Sequence, residues 1–476
     1  MIKLNILIIF SILFLNSCQI ELAKSLFNSS NSSNALFFSP DSVGGFGTLT
    51  GNLQVGFSSR TIYPTDPVSL TGFGSPLRRL IPPNLVNIGN GPSYCKPYLN
   101  IDKQPRVKTL LFKGQNNNSD AYYLIIDLDI VAIPIDLNLK LLTLLNKYFP
   151  NKNFSHANVQ FIATHTHSGP AGLAENPFWA IAVCDRFNSS IYNIVTDQII
   201  KSVTESINNL NNIQSIDLGE SIISSYNFSR FPGMPVDQNS LYLNFKDINS
   251  NSMGCFQIFS GHPTWYGAED LTFSADFAGY IETSLQSKIG ANTCIFFNAT
   301  VGNATVVAPP DKNIFINNFT NVVLSSAVNQ SAPTSLSYGT IFITLPGFQI
   351  NYSGCGIDLG WIPQNFFESV VSLKSSDITN NITKISWFSY GGIYFFMFPG
   401  EPLYDTKMAL KDLLAQNFPN IGKFYVLSTA NDYVGYLMTS GNYSTQNMGT
   451  CSTMHGPNAA STILNGFING LHQSGL

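Results

Sequence analysis

The sequence predicts an α/β domain built on mixed sheets. Two observations lead there: apolar β-branched runs (121–133, 158–163, 240–245 and 393–398) and, between them, segments of helical spacing such as 137–148 and 191–210. A third is that several runs end in turn-forming residues beside a histidine or a carboxylate, which suits a core whose strand ends carry chemistry. With 476 residues, 44% of them hydrophobic and 13% aromatic, the chain can bury a large core. Only 11% are charged and the formal net charge is −4, so there is no basic field for a phosphate backbone and nucleic-acid binding is excluded.

Residues 1–18 run from Lys3 through an apolar stretch to Asn16-Ser17-Cys18, the layout of a signal peptide, and the apolar stretch is short for a membrane span. The same residues fit a lipoprotein leader with Cys18 lipidated. The expected location is therefore secreted or extracytoplasmic. Residues 19–50, rich in Ser and Asn, are expected as linker, and residues 51–476 as one catalytic-sized unit without a solenoid repeat. Seven cysteines become six once Cys18 is set apart; they are widely spaced without CxxC, which predicts disulfides rather than a cysteine zinc site. Sequons at Asn28, Asn153, Asn318 and Asn381 predict a glycoprotein, although an Asn- and Ser-rich chain also produces sequons by chance. The Pro-, Gly- and Asn-dense stretch 63–103 reads as a long loop over an entrance.

Along the chain, Val159–Ala163 is a strand and Thr164-His165-Thr166-His167-Ser168-Gly169-Pro170 its exit. Continued strand geometry would put His165 and His167 on one face, where two of the chain's six histidines could share a metal or an acid/base role. His262, in Ser-Gly-His-Pro-Thr, follows another apolar run; alone it reads as a hydrogen-bonded structural residue, and beside the first pair as a third site histidine. Glu401, in Phe-Pro-Gly-Glu-Pro, sits where a buried carboxylate needs a cation or a donor network, the alternative being an exposed turn. Tyr433-Val-Gly-Tyr436 reads as core aromatics on a short strand.

In this order the segments resemble the neutral (alkaline, non-lysosomal) ceramidase family, from about Val55 to Leu476, with support from Leu70-Thr-Gly-Phe-Gly74, Phe273-Ser-Ala-Asp-Phe-Ala-Gly-Tyr280 and Asn298-Ala-Thr-Val-Gly-Asn-Ala-Thr305. The resemblance implies a mixed-sheet zinc hydrolase domain that cleaves the N-acyl bond of ceramide, giving sphingosine and fatty acid. It places zinc on His165, His262, Glu401 and Tyr436. Nitrogen and oxygen ligands of this kind, with room for water, are what a hydrolytic zinc requires. His167 falls on the acid/base histidine. Arg230, in Ser-Arg-Phe-Pro where the family has Asn-Arg-Ser-Pro, falls on the family's arginine, where a guanidinium could orient the substrate's hydroxyls or support the site by bidentate hydrogen bonding, the alternative being a lone surface arginine.

Two positions depart from the family pattern. Thr305 stands where the family has a serine needed for turnover, and Met448 where it has an active-site tyrosine that donates to the scissile carbonyl; Tyr443 is the neighbour that could supply a phenol instead. The immunoglobulin-like domain that commonly follows in the family is expected to be absent. The expected partner is a ceramide-like lipid, with peripheral membrane contact. A hydrolase of another amide or ester, and a catalytically degenerate zinc-containing lipid binder, stand as alternatives.

Overall fold

The computed structural model describes residues 43–73, 78, 87–88, 91–92, 95–175, 185–347, 349, 381–443 and 448–475. The expected signal peptide, Cys18, the Asn28 sequon, Cys184 and Cys355 lie outside these residues. The first strand, β1 (Val43–Thr61), starts inside the stretch expected as linker, so residues 43–50 belong to the sheet. They pair with Ser335–Ile341, while the second half of β1 pairs with Arg106–Gln115 across an irregularity between Thr50 and Gln54.

β1 lies in a large sheet with β2 (Arg106–Asn116), β3 (Ser119–Leu128), β4 (Val159–Ala163), β10 (Ser335–Thr344), β11 (Ile382–Tyr390), β12 (Ile393–Met397) and β13 (Lys423–Leu427). The order is β13-β12-β11-β10-β1-β2-β3-β4, with Asn211–Asn212 added beside β1. A second sheet, ordered β8-β7-β6-β5-β9, is formed by β5 (Ser215–Ile222), β6 (Asn239–Lys246), β7 (Ser252–Phe259), β8 (Cys294–Asn298) and β9 (Ala327–Ser331). Three pairs are parallel, β3/β4, β12/β13 and β7/β8, and the others along these two orders are antiparallel. The predicted mixed-sheet α/β class is what is found.

Alternation along the strands sends one set of apolar side chains between the sheets: Leu53, Val55, Phe57 and Phe112 from the first meet Leu243, Phe245 and Phe256 from the second. Burying each contributes roughly 1.5–3 kcal/mol. The outer faces are covered by helices. On the β2–β4 side lie α1 (Ile135–Tyr148) and α2 (Ser189–Asn208). Helix α2 buries Ile191, Val195, Ile199 and Val203 at four-residue spacing, and Asn188 caps it by accepting from Ser190 N at 3.0 Å. The β10–β13 side is covered by α5 (Tyr404–Asn417) and α6 (Ala459–Gln473), and the second sheet by α3 (Asp276–Ile289) and α4 (Lys312–Ser325). The result is four layers, helix–sheet–sheet–helix. A disulfide joins Cys255 of β7 to Cys294 of β8, neighbours in the parallel register.

The ends of the large sheet are brought together beyond its last strand. After β13 the chain bridges to β4: Ala163 N donates to Thr429 O (3.1 Å) and Asn431 N to Phe161 O (2.7 Å). Ser428 N reaches Asn298 O of β8 at 2.9 Å. The C-terminal ends of β4, β7, β8, β12 and β13 are thereby gathered at one place. Among the described residues no helix is long and apolar enough to cross a membrane.

Candidate metal centre and active site

Each strand end delivers one part of the site. His165 and His167 follow β4, His262 follows β7, Thr305 follows β8, Glu401 follows β12, and Tyr433 and Tyr436 follow β13. The expectation that His165 and His167 share a face by strand alternation reaches the right outcome for the wrong reason. Both lie past the strand, and His165 takes a left-handed conformation (φ 68°), uncommon for a residue with a side chain and often met at functional sites. Backbone contacts hold the turn: His165 N donates to Ile130 O and His167 N to Pro263 O, each at 3.1 Å. The two Nε2 atoms end 3.3 Å apart, and with His262 the three imidazoles present ring nitrogens all within 4.8 Å of one another.

Glu401 closes this group from the other side. Its Oε1 is 3.3 Å from His165 Nε2 and its Oε2 is 3.0 Å from His262 Nε2. It is only 2% exposed, which settles the sequence-level alternative in favour of a buried carboxylate. Two glycines make the approach feasible. Gly400 (φ 145°) would put a Cβ 2.4 Å from Gly435 O, and Gly435 (φ 83°) would put one 2.2 Å from Ser452 O. With neither Cβ present, Glu401 N donates to Gly435 O (2.9 Å) and Glu401 pairs with Tyr436 in a short parallel bridge. Tyr436 Oη comes to 3.2 Å from His262 Nε2. Arg230 Nη2 lies 3.0 Å from His262 Nε2, donates to Gly302 O at 3.0 Å and hydrogen-bonds the Tyr436 hydroxyl.

The hydrogen-bond pattern shows what this cluster accommodates. His165 Nδ1 is 2.7 Å from Val131 O, and His262 Nδ1 is 3.0 Å from Ala304 O. A carbonyl only accepts, so both Nδ1 atoms carry the proton and both Nε2 atoms turn a lone pair toward Glu401. Glu401 Oε2 is buried without a hydrogen-bond donor. Burial, followed by the Arg230 charge, lowers His262 to about 4, so near neutral pH it is no cationic partner for the carboxylate. Burial raises the Glu401 carboxyl, and only in their protonated forms do the facing histidines hold it well below the usual range. Two imidazole lone pairs, a carboxylate and a phenol oxygen around one point form a donor set that fits a zinc-type cation. The Nδ1–carbonyl bonds are the supports that commonly orient metal-bound histidines.

The remaining expected residues fall around this centre. His167 is buried, with Nδ1 unpartnered and Phe73 edge-on at 4.6 Å; burial, then His165 and His262, press its basicity well below normal. Thr305 pairs by backbone with His262 and Phe228, and Arg230 N donates to Asn303 O at 2.8 Å, so both expected catalytic positions flank the cluster. Tyr443 is half-buried and packs on a small cluster of Phe231, Leu403, Tyr436 and Met438. Met448 opens the short helix Met448–Cys451, and its side chain lies outside the described residues. The stretch 63–103 contains only two-residue strands among its described parts, and it does reach the site. Arg78 from it donates to the His167 carbonyl and to Thr71 O (2.9 Å).

Sequence reasoning missed three supports. Asn298 accepts from Gly261 N (3.1 Å) and donates to Gly261 O (2.7 Å) and Thr164 O (3.1 Å), tying the two histidine loops together. Tyr433 donates to Glu401 Oε1 at 2.5 Å. Asp127, Asp129 and Glu282 surround the fully buried Lys108, whose Nζ is 2.6–2.7 Å from each; this second acidic cluster underlies the turn that supplies Ile130 O and Val131 O to His165. Only the cluster's position just before an apolar turn hinted at it.

Residues 101–321 match the family model described as neutral/alkaline non-lysosomal ceramidase, N-terminal. Neutral ceramidase B of Dictyostelium discoideum is 23% identical over 226 residues, 45% of this chain and 28% of that protein. Neutral ceramidase of Pseudomonas aeruginosa is 23% identical over 201 residues, 39% of this chain and 30% of that one. These matches span under a third of the relatives' length. The crystal structure of the Pseudomonas aeruginosa neutral ceramidase superposes with a TM-score of 0.67 at 16% identity, covering 88% of this chain and 74% of that one. A ceramidase complexed with C2 gives a TM-score of 0.69 at 16% identity, covering 90% and 76%. Residues 101–321 are thus similar to the N-terminal part of the neutral/alkaline non-lysosomal ceramidase family, and the fold of the chain is that of the neutral ceramidase structures.

Proposed function

We propose that the chain is an exported, zinc-dependent amidohydrolase that cleaves the N-acyl bond of ceramide or a related lipid amide. The observation that carries this reading is the convergence of the His165 and His262 lone pairs, Glu401 and the Tyr436 hydroxyl on one point. His165, His262, Glu401 and Tyr436 would hold the ion. Zinc bound there supplies a Lewis acid that polarises the amide carbonyl and acidifies water.

The chain's own groups do the rest. His167, with Nε2 3.3 Å from His165 Nε2, accepts a proton from the attacking water and returns it to the departing amine. Arg230 holds the Tyr436 phenol and puts a fixed positive charge beside His262, where negative charge grows on the reacting carbonyl. Burial of the whole cluster strengthens these interactions. Thr305 keeps a hydroxyl on the strand pair next to His262, and Tyr443 is the nearby phenol available in place of Met448. Export is supported by the Cys255–Cys294 disulfide, since such bonds persist in oxidising compartments.

The substitutions at Thr305 and Met448 favour a second reading: hydrolysis of a different amide or ester, or lipid binding without turnover. Fatty-acid release from a long-chain ceramide by the zinc-loaded full chain, beside His165→Ala, separates them. Release by the parent alone supports the ceramidase reading. Zinc bound without release from ceramide moves the assignment to the second.

A further inference from the structure

We infer that Tyr433 is a positioning residue for the metal centre, one that fixes Glu401 to present a single oxygen to the ion. The inference rests on the metal-centre reading above and concerns a tyrosine outside the expected ligand set. Tyr433 Oη donates to Glu401 Oε1 at 2.5 Å, while Glu401 Oε2, buried and without a donor, faces His262 Nε2 at 3.0 Å. One carboxylate oxygen is thus occupied by a phenol and the other is left for coordination.

Two further contacts make the placement specific. The Tyr433 ring lies nearly parallel to the His165 imidazole, 16° between planes with centroids 6.3 Å apart. It also packs against Val131 and Ala132, and Val131 O is the acceptor that fixes His165 Nδ1. A single side chain therefore holds one expected ligand by hydrogen bond, faces a second with its ring, and packs against the residue whose carbonyl supports that second ligand. Its neighbour Tyr436 serves the opposite side of the centre, through His262 and Arg230. The two tyrosines of Tyr-Val-Gly-Tyr divide the work, with Tyr436 coordinating and Tyr433 orienting.

The test uses the metal-free full chain and its Tyr433→Phe and His165→Ala variants. It measures Zn2+ affinity by chelator competition, the d–d absorption spectrum after Co2+ loading, and the thermal midpoint without metal. Tyr433→Phe is expected to bind Zn2+ about 10- to 100-fold more weakly and to show an altered Co2+ spectrum, as Glu401 becomes free to offer both oxygens, with the metal-free midpoint kept. Parent-like affinity and spectrum in Tyr433→Phe overturn the inference. So does an affinity loss accompanied by a fallen metal-free midpoint, which assigns the phenol to packing. If His165→Ala binds Zn2+ as tightly as the parent, the metal-centre reading itself fails and takes this inference with it.

Discussion

Replacing Lys108 by Met should destabilise the protein by roughly 3–5 kcal/mol, the usual cost of leaving buried charges without their partner. Lys108, Asp127 and Glu282 are entirely buried, and the ammonium is 2.7 Å from Asp127 Oδ2, 2.7 Å from Asp129 Oδ1 and 2.6 Å from Glu282 Oε1. The other nearby cation, Arg106, reaches Glu282 Oε2 at 2.8 Å. Three carboxyls against two cations leave one carboxyl to be neutralised by a proton. Asp127 is the group that takes it, because burial lifts its pKa well above normal even beside Lys108. Removal of the ammonium leaves two charged carboxylates facing one arginine. The damage should not stop at stability, since Asp129 also accepts from Arg106 N at 2.8 Å and heads the turn whose carbonyls fix His165. Urea unfolding followed by near- and far-ultraviolet circular dichroism measures the first effect, and Zn2+ competition the second. Adding Asp127→Asn to Lys108→Met should recover little, because the charged pair Asp129 and Glu282 stays unbalanced; adding Glu282→Gln should recover more. A single Lys108→Met variant with parent stability would refute the reasoning.

Three other outcomes are expected. Lys384 is fully buried with its Nζ donating to Val159 O at 3.2 Å, and it faces His156; burial lowers its pKa from 10.5 to about 7, so the native state binds fewer protons than the unfolded chain between those values and stability should rise with pH across that window, by at most about 5 kcal/mol. Lys384→Met should abolish that rise, read as the difference between parent and variant unfolding curves from pH 7 to 10; a rise of equal size in the variant contradicts the assignment. Gly435→Ala forces a Cβ to 2.2 Å from Ser452 O at φ 83° and should cost more than about 1–3 kcal/mol, with Zn2+ binding lost as the Glu401–Tyr436 bridge opens; parent-like binding would show that the bridge is dispensable. Asn298→Ala strands Gly261 N and Thr164 O in the core and should destabilise by about 2–4 kcal/mol in denaturant titration, while a loss below 0.5 kcal/mol (about the noise of a surface change) would show the loops are held by other contacts.

Much of the architecture could be read from local pattern. Apolar runs over 121–133, 158–163, 240–245 and 393–398 and helical spacing over 137–148 and 191–210 announce themselves, and the structure places strands at Ser119–Leu128, Val159–Ala163, Asn239–Lys246 and Ile393–Met397 and helices at Ile135–Tyr148 and Ser189–Asn208, the first run overshooting its strand into the turn 129–133. The closure of the large sheet was not legible, because it depends on hydrogen bonds between residues 161–163 and 429–431, far apart in sequence and short of strand length. β1 was partly hidden too: residues 43–50 are rich in Gly and Thr, and nothing local distinguishes them from a tether until Ser335–Ile341 pairs with them. At the site, His165, His262 and Glu401 were visible because each follows an apolar run and carries chemistry that burial makes costly. Asn298, Tyr433 and the Lys108 cluster were not, since an asparagine at a strand end, a tyrosine among aromatics and a lysine between a valine and a threonine acquire meaning only from what faces them.

The most direct test of the metal centre is the position of bound zinc in crystals of the zinc-loaded chain, located by anomalous scattering at the zinc edge. The account predicts one strong peak about 2.0–2.2 Å from His165 Nε2, His262 Nε2 and a single Glu401 oxygen. A peak among Asp127, Asp129 and Glu282 instead, or no peak between the two histidines, would contradict it.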